Sequence, residues 1–122
     1  MAKIHIALVG GQPAPVYNGI IATNPDKVIY VYSKDVEKTL SVLRKEVKVD
    51  EAEKLPPLSP TDPNEIEGLA FRLADTYCGD EVVVNISSGL KSWSHIFGYA
   101  FQNRENASVV YMDQNTVLWN YK

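Results

Sequence analysis

Residues 81–93, EVVVNISSGLKSW, constrain the fold more than any other stretch of the chain. The three consecutive valines indicate a strand buried on both faces, which is typical of the centre of a parallel sheet. Ser87, Ser88 and Gly89 then end the strand. The apolar residues that follow recur with helical spacing, which predicts a helix directly after Gly89. This segment is therefore a strand–loop–helix junction inside an α/β sheet.

The remaining elements alternate in the same way. Strands are predicted at 3–9, 27–32, 48–49, 81–86, 107–112 and 116–121. Helices are predicted at 16–22, after a cap at Ser33, from Pro63 to Gly79 and after Gly89. Asp62 and Glu65 are expected to form a capping box at the third helix. The order predicts a Rossmann-like, three-layer α/β fold, whose mostly parallel sheet of about six strands ends in an antiparallel hairpin.

Length and charge limit the function. With 122 residues we expect a single domain, 1–122. The net charge of -3 argues against DNA or long RNA as a partner, because proteins that grip long polyanions are usually basic. A small anionic ligand remains compatible, since a few local donors suffice to bind it.

Other classes of function lack the residues they need. The single cysteine, Cys78, excludes an internal disulfide and suggests a cytoplasmic protein. No apolar run approaches the roughly 20 residues of a membrane span, and residues 1–9 resemble a strand more than a signal peptide. The carboxylates have no metal-ligand spacing, so neither a metal nor a cofactor is expected.

Two loops follow strands at the edge where α/β sheets bind ligands, 10–16 and 87–91. In the second loop, Ser87 and Ser88 supply hydroxyls and the helix start supplies free amides, which suit an anion. The positive charge of Lys91 is unfavourable at a bare helix start, because the helix dipole repels cations there. A bound phosphate would make that charge favourable. The alternative is that Ser88 merely caps the helix and Lys91 lies in solvent.

The first loop contains Gly10, Gly11, Gln12 and Pro13. Its glycines would let a ligand approach the backbone, and Gln12 would offer a donor. The alternative is an ordinary strand-to-helix turn that needs glycine.

Several single residues have a simpler explanation than a site. We expect His5 to lie within the first strand as a core or face residue, and His95 to be solvated. Trp93, Trp119 and Cys78 are expected to pack in the interior. Tyr17 fits the core as well as a position against a base.

Together, the stretches ALVGGQPAPVYNGI (7–20) and VVVNISSGLKSWSHIFGYA (82–100) resemble a CARF domain, the CRISPR-associated Rossmann-fold sensor of cyclic oligoadenylates. The second is similar to the family pattern of a strand, Asn/Asp-x-Ser/Thr-Gly/Ser-Gly-Thr-Lys and a helix. Leu90 departs from that pattern, because the family usually has a small hydroxyl residue there.

The resemblance implies a homodimer that binds cyclic oligoadenylate, with cyclic tetra-adenylate expected, on its two-fold axis in type III CRISPR signalling. The implied ligand-binding residues are Gly10, Gly11, Gln12, Pro13, Asn85, Ser87, Ser88, Gly89 and Lys91. Metal-independent cleavage of the ring would assign catalysis to Lys91 and Ser88. Two alternatives stay open at this point: a sensor, regulator or buffer without catalysis, and a dimeric α/β scaffold without a nucleotide site.

Overall fold

The sheet has five strands in the order β2-β1-β3-β4-β5, in a computed structural model that describes all 122 residues. The strands are β1 (Lys3–Leu8), β2 (Lys27–Val31), β3 (Glu81–Asn85), β4 (Ala107–Met112) and β5 (Leu118–Asn120). The helices are α1 (Pro13–Thr23), α2 (Glu37–Glu46), α3 (Pro63–Thr76) and α4 (Lys91–Phe101), with a 3-10 turn at Lys34–Val36 before α2.

The predicted mostly parallel α/β architecture is confirmed. β1 pairs in parallel with both β2 and β3, β3 pairs in parallel with β4, and β5 closes the sheet as the antiparallel strand of a hairpin. The valine-rich β3 is interior, and its three valines are buried.

Two hydrophobic clusters cover opposite faces of the sheet, because successive side chains of a strand point in opposite directions. Ile4, Ile6 and Leu8 of β1 pack with residues of α3 and α4. The intervening Ala7 and the following Val9 pack with residues of α1 and α2. The molecule therefore has three layers, with a helix pair on each side of the sheet.

The strand predicted at 48–49 does not form, which reduces the strand count from about six to five. Instead, the chain touches β2 slightly later, where the Val28 amide donates to the Asp50 carbonyl and the Ala52 amide donates to the Val28 carbonyl. A second isolated contact follows beyond the end of β2, where Leu58 bridges to Ser33 and the Leu58 amide donates to the Tyr32 carbonyl. Pro56 and Pro57 lie between the two contacts and have no amide hydrogen with which to join them into one ladder.

Helix ends follow local chemistry in most cases. α1 begins at Pro13, earlier than predicted, because a proline is tolerated in the first turn, where the amide has no partner in the helix. Asp62 caps α3 by accepting from the amides of Asn64 and Glu65. The predicted capping box is incomplete, since the Glu65 carboxylate accepts from the Ser59 amide instead. The Ser33 side chain caps no helix.

Two residues expected inside lie at the surface. Cys78 is exposed in the turn after α3, and Trp119 is 53% exposed on the edge strand β5. Trp93 is buried, as predicted. None of the helices combines the length and apolar character required to cross a membrane.

Candidate functional site

The loops after β1 and β3 lie side by side, because these two strands are neighbours in the sheet. From β1 the chain crosses to β2 on one side, and β3 continues to β4 on the other. This is the position at which open α/β sheets form a crevice beyond the carboxyl ends of their strands.

Glycines allow the two loops to approach closely. A Cβ atom at Gly10 would lie 2.6 Å from the Gly89 amide nitrogen and would also overlap the Ser88 hydroxyl. Gly89 has φ +82°, in the left-handed region that favours glycine, and a Cβ atom there would lie 3.0 Å from Cβ of Leu8. A side chain at Gly10 would push the two loops apart, and one at Gly89 would push its loop away from the end of β1.

Between the loops lies an open cleft of about 310 Å³. Six of the residues predicted for ligand binding line it: Gly10, Gly11, Gln12, Ser87, Ser88 and Gly89. The residues that sequence reasoning missed are Pro15 and the segment 111–114 at the end of β4. Pro15 lies within the predicted loop 10–16, although it was not singled out there. The signal for 111–114 was the predicted strand at 107–112 followed by a turn, because parallel neighbours end at the same sheet edge.

The backbone amides of residues 88–93 donate no hydrogen bond within the chain. The N-cap of α4 is Leu90, which makes no side-chain cap bond, so Ser88 does not cap the helix. The Ser88 hydroxyl makes no hydrogen bond within the chain either. A run of six free amides thus begins in the cleft and continues through the first turn of α4.

Three predicted site residues lie outside the cleft lining. Lys91 is the first residue of α4, with an exposed side chain that forms no ion pair. Pro13 begins α1 and lines a separate apolar groove between α1 and α2, together with Tyr17. Asn85 is completely buried beneath the loop.

Ser87 is held by hydrogen bonds to Asn85 and Met112. Its amide donates to Asn85 Oδ1 over 3.0 Å, its hydroxyl donates to the same oxygen, and its Oγ accepts from the Met112 amide over 2.6 Å. Of the two serines, only Ser88 keeps a hydroxyl free for a ligand.

One carboxylate in the cleft lining, that of Asp113, would repel a bound anion. Asp113 accepts from the Trp119 indole and from the amides of Val117 and Asn115, and these bonds lower the pKa of its carboxyl. Asp113 is therefore negative at neutral pH, with its charge partly balanced by these donors.

A second cavity of about 450 Å³ adjoins the cleft and shares Gln12, Pro15, Asp113 and Gln114 with it. It extends to Asn18 on α1, so that three side-chain amides face the same space: Gln12, Asn18 and Gln114. None of these three amide groups forms a hydrogen bond within the chain. This cavity can supply both donors and acceptors to a polar ring.

The chain matches no protein-family model and no curated protein. Among solved structures it is similar to Can2 from Sulfobacillus thermosulfidooxidans in complex with cyclic tetra-adenylate, with a TM-score of 0.78, 14% identity, 93% of this chain covered and 32% of Can2. Protein VC1899 from Vibrio cholerae gives a TM-score of 0.74 at 17% identity, over 98% of this chain and 33% of that one. Enterococcus italicus Csm6, bound to cyclic hexa-2'-fluoro-hexa-dAMP, gives 0.70 at 12% identity, over 93% of this chain and 34% of that one.

These similarities define the class of fold. Can2 and Csm6 contain CARF domains, and the chain has the Rossmann-like CARF fold that its loop motif predicted. The chain spans about a third of the length of the three proteins.

Proposed function

We propose that the chain binds a cyclic oligoadenylate, cyclic tetra-adenylate in particular, in this cleft as part of type III CRISPR signalling. The observation that carries the proposal is the run of free amides at 88–93, which starts in the cleft at the beginning of α4. Amides at a helix start bind phosphate oxygens, and the helix dipole favours negative charge there. The CARF fold supports a cyclic oligoadenylate as the source of that phosphate, since Can2 was solved with cyclic tetra-adenylate and Csm6 with cyclic hexa-2'-fluoro-hexa-dAMP.

The cleft would hold phosphate mainly through neutral donors. Asp113 adds a negative charge to the lining, and the free ammonium of Lys91 lies on the neighbouring first turn of α4. Lys91 would offset the carboxylate when a ligand extends beyond the cleft. The Ser88 hydroxyl would add one further donor.

The adjoining cavity suits a nucleobase. Side-chain amides of Asn and Gln pair with the adenine edge, where they accept from N6 and donate to N7. Gln12, Asn18 and Gln114 supply such groups in the cavity that adjoins the cleft with the free amides.

A homodimer would complete the site. Cyclic tetra-adenylate carries one negative charge per nucleotide, whereas one chain offers a single run of amides. A two-fold axis through a symmetric ring would present the same cleft to each half of the ligand. Two copies would double the amides, the hydroxyl of Ser88 and the ammonium of Lys91.

Binding is tested by thermal shift and calorimetry with cyclic tri-, tetra- and hexa-adenylate. Ligand at about 100 times its Kd should add about 2.7 kcal/mol of stability. Lys91→Ala should weaken binding about tenfold, the effect of losing one charge-assisted hydrogen bond. Lys38→Ala is the matched control, because Lys38 lies in the first turn of α2 and forms no ion pair. If no ring size raises the melting temperature, the scaffold alternative is correct.

Metal-independent cleavage of the ring is the second candidate, favoured by the free Ser88 hydroxyl and the unpaired Lys91 ammonium. A ribose 2'-oxygen would attack its adjacent phosphorus in line and lose its proton to water. The P–O5' bond would break, the 5'-oxygen would gain a proton, and a 2',3'-cyclic phosphate would remain. Amides and Lys91 would stabilise the developing charge. Chromatography after long incubation decides the question: intact ligand identifies a non-catalytic sensor, regulator or buffer.

A further inference from the structure

A row of buried polar side chains runs beneath the cleft. His5 and Asn85 are completely buried, Thr23 is 9% exposed, and the row ends at Ser87 in the cleft wall. Every buried side-chain nitrogen and oxygen in the chain has a hydrogen-bond partner. A polar row of this kind inside an otherwise apolar core requires an explanation, since apolar residues of similar size fill such space without needing partners.

The direction of each hydrogen bond in the row is fixed by its neighbours. Asn85 Oδ1 accepts from Ser87, so its Nδ2 faces His5 Nε2 at 3.2 Å and donates to it. His5 Nε2 is therefore the acceptor nitrogen, and Nδ1 carries the proton. Nδ1 donates to Thr23 Oγ1 at 2.8 Å, and the Thr23 hydroxyl donates to the Gly19 carbonyl at 2.9 Å.

The row connects elements that are far apart in sequence. It begins on α1 at Thr23, passes through β1 and β3, and reaches the loop at Ser87. There the Ser87 Oγ accepts from the amide of Met112, the last residue of β4. Ser87 and Met112 both line the cleft, so this bond joins two of its walls.

We infer that His5 and Asn85 are positioning residues, which fix Ser87 and thereby set the geometry of the amide run that follows it. Neither side chain reaches a ligand, because both are buried and their hydrogen-bonding atoms are occupied. The Asn85 side chain packs tightly against α1. A Cβ atom at Gly19 would lie 3.3 Å from Asn85 Cγ and would overlap the Asn85 amide nitrogen.

The first arm of the test uses the chain without ligand. Nuclear magnetic resonance of the ¹⁵N-labelled chain should show neutral His5 with its proton on Nδ1. His5→Gln should shift the amide resonances of Ser87 and Met112, although residue 5 is hydrogen-bonded to neither. Val83→Ala is the matched control, because Val83 is the register partner of His5 on β3 and is buried without polar atoms. Unchanged resonances in His5→Gln, or equal changes in Val83→Ala, would overturn the inference.

The second arm measures affinity and rests on the proposed function. Asn85→Leu should raise the Kd for cyclic tetra-adenylate about tenfold or more, whereas Val83→Ala should stay within about twofold of the wild type. If Asn85→Leu does not fold, Ser87→Ala replaces it and should weaken binding in the same direction. Wild-type affinity in a folded variant contradicts the inference. A wild-type chain that binds no cyclic oligoadenylate contradicts the proposed function alone, and the ligand-free arm still decides the positioning role.

Discussion

Lowering the pH should destabilise this fold through His5. Burial, together with the charge of Lys3, lowers the pKa of His5 from 6.5 to about 3. Between these values the unfolded chain binds a proton that the folded chain excludes. Stability from this residue is therefore complete above the unfolded pKa and is lost as the pH falls below it. In the folded chain a second proton on His5 would also have to sit on Nε2, where it would face the Asn85 Nδ2 donor.

The size of the effect follows from the two pKa values. At about pH 5, the exclusion of a proton from His5 should make the free energy of unfolding about 2 kcal/mol lower than at neutral pH, as an order-of-magnitude value. Urea unfolding followed by the fluorescence of buried Trp93 measures it. Because carboxylates also titrate, the informative quantity is the difference in unfolding free energy between wild type and His5→Gln. That difference should shrink by about 2 kcal/mol between about pH 7 and pH 5.

A matched variant checks the assignment to His5. Val83, the register partner of His5 on β3, is buried and carries no titratable group, so Val83→Ala should leave the pH profile parallel to that of the wild type. A free-energy gap between wild type and His5→Gln that stays constant across this pH range would refute the reasoning, because it would mean that His5 takes up its proton equally in both states.

Three further outcomes follow from the cleft and its supports. Gly89→Ala should destabilise the chain by about 1–3 kcal/mol in urea unfolding, because its φ of +82° strains any side chain; an unchanged midpoint would contradict this. Gly10→Ala should weaken cyclic tetra-adenylate binding about tenfold or more in calorimetry, since its Cβ atom would displace the Ser88–Gly89 loop, and wild-type affinity would show that the two loops need not touch. Asp62→Ala should cost about 1 kcal/mol by removing the cap of α3, with Asp62→Asn nearly neutral; equal losses in both would argue against the cap.

Sequence signals predicted correctly those features that depend on interactions between residues close together in the chain. The valine run of β3 indicated an interior parallel strand because its residues are apolar on both faces. Asp62 marked the start of α3 because a cap acts on amides two and three residues away. The glycines at 10 and 89 marked two strand-to-helix turns, and the sheet rule for ligand crevices placed these turns at one edge.

Other features depended on contacts between distant segments. Valine and tryptophan are common in strands and cores, yet Val49 joins no strand and Trp119 remains exposed on the sheet edge. Whether such a residue is buried depends on the segments that pack beside it. No strand lies beyond β5, so Trp119 stays at the edge of the sheet. The N-cap position of α4 falls at Leu90 rather than at Ser88, so no side chain caps the helix and the Ser88 hydroxyl stays free.

The sequence by itself determined the alternation of strands and helices and the two loops that carry the candidate site, because hydrophobic period, caps and turn glycines act over a few residues. Only the tertiary structure decided that Asn85 faces inward, that His5 supports it and that the end of β4 forms a cleft wall. Those assignments require the hydrogen bonds that join residue 5 to 85, 85 to 87 and 87 to 112, and these residues come together only when β1, β3 and β4 lie side by side in the sheet.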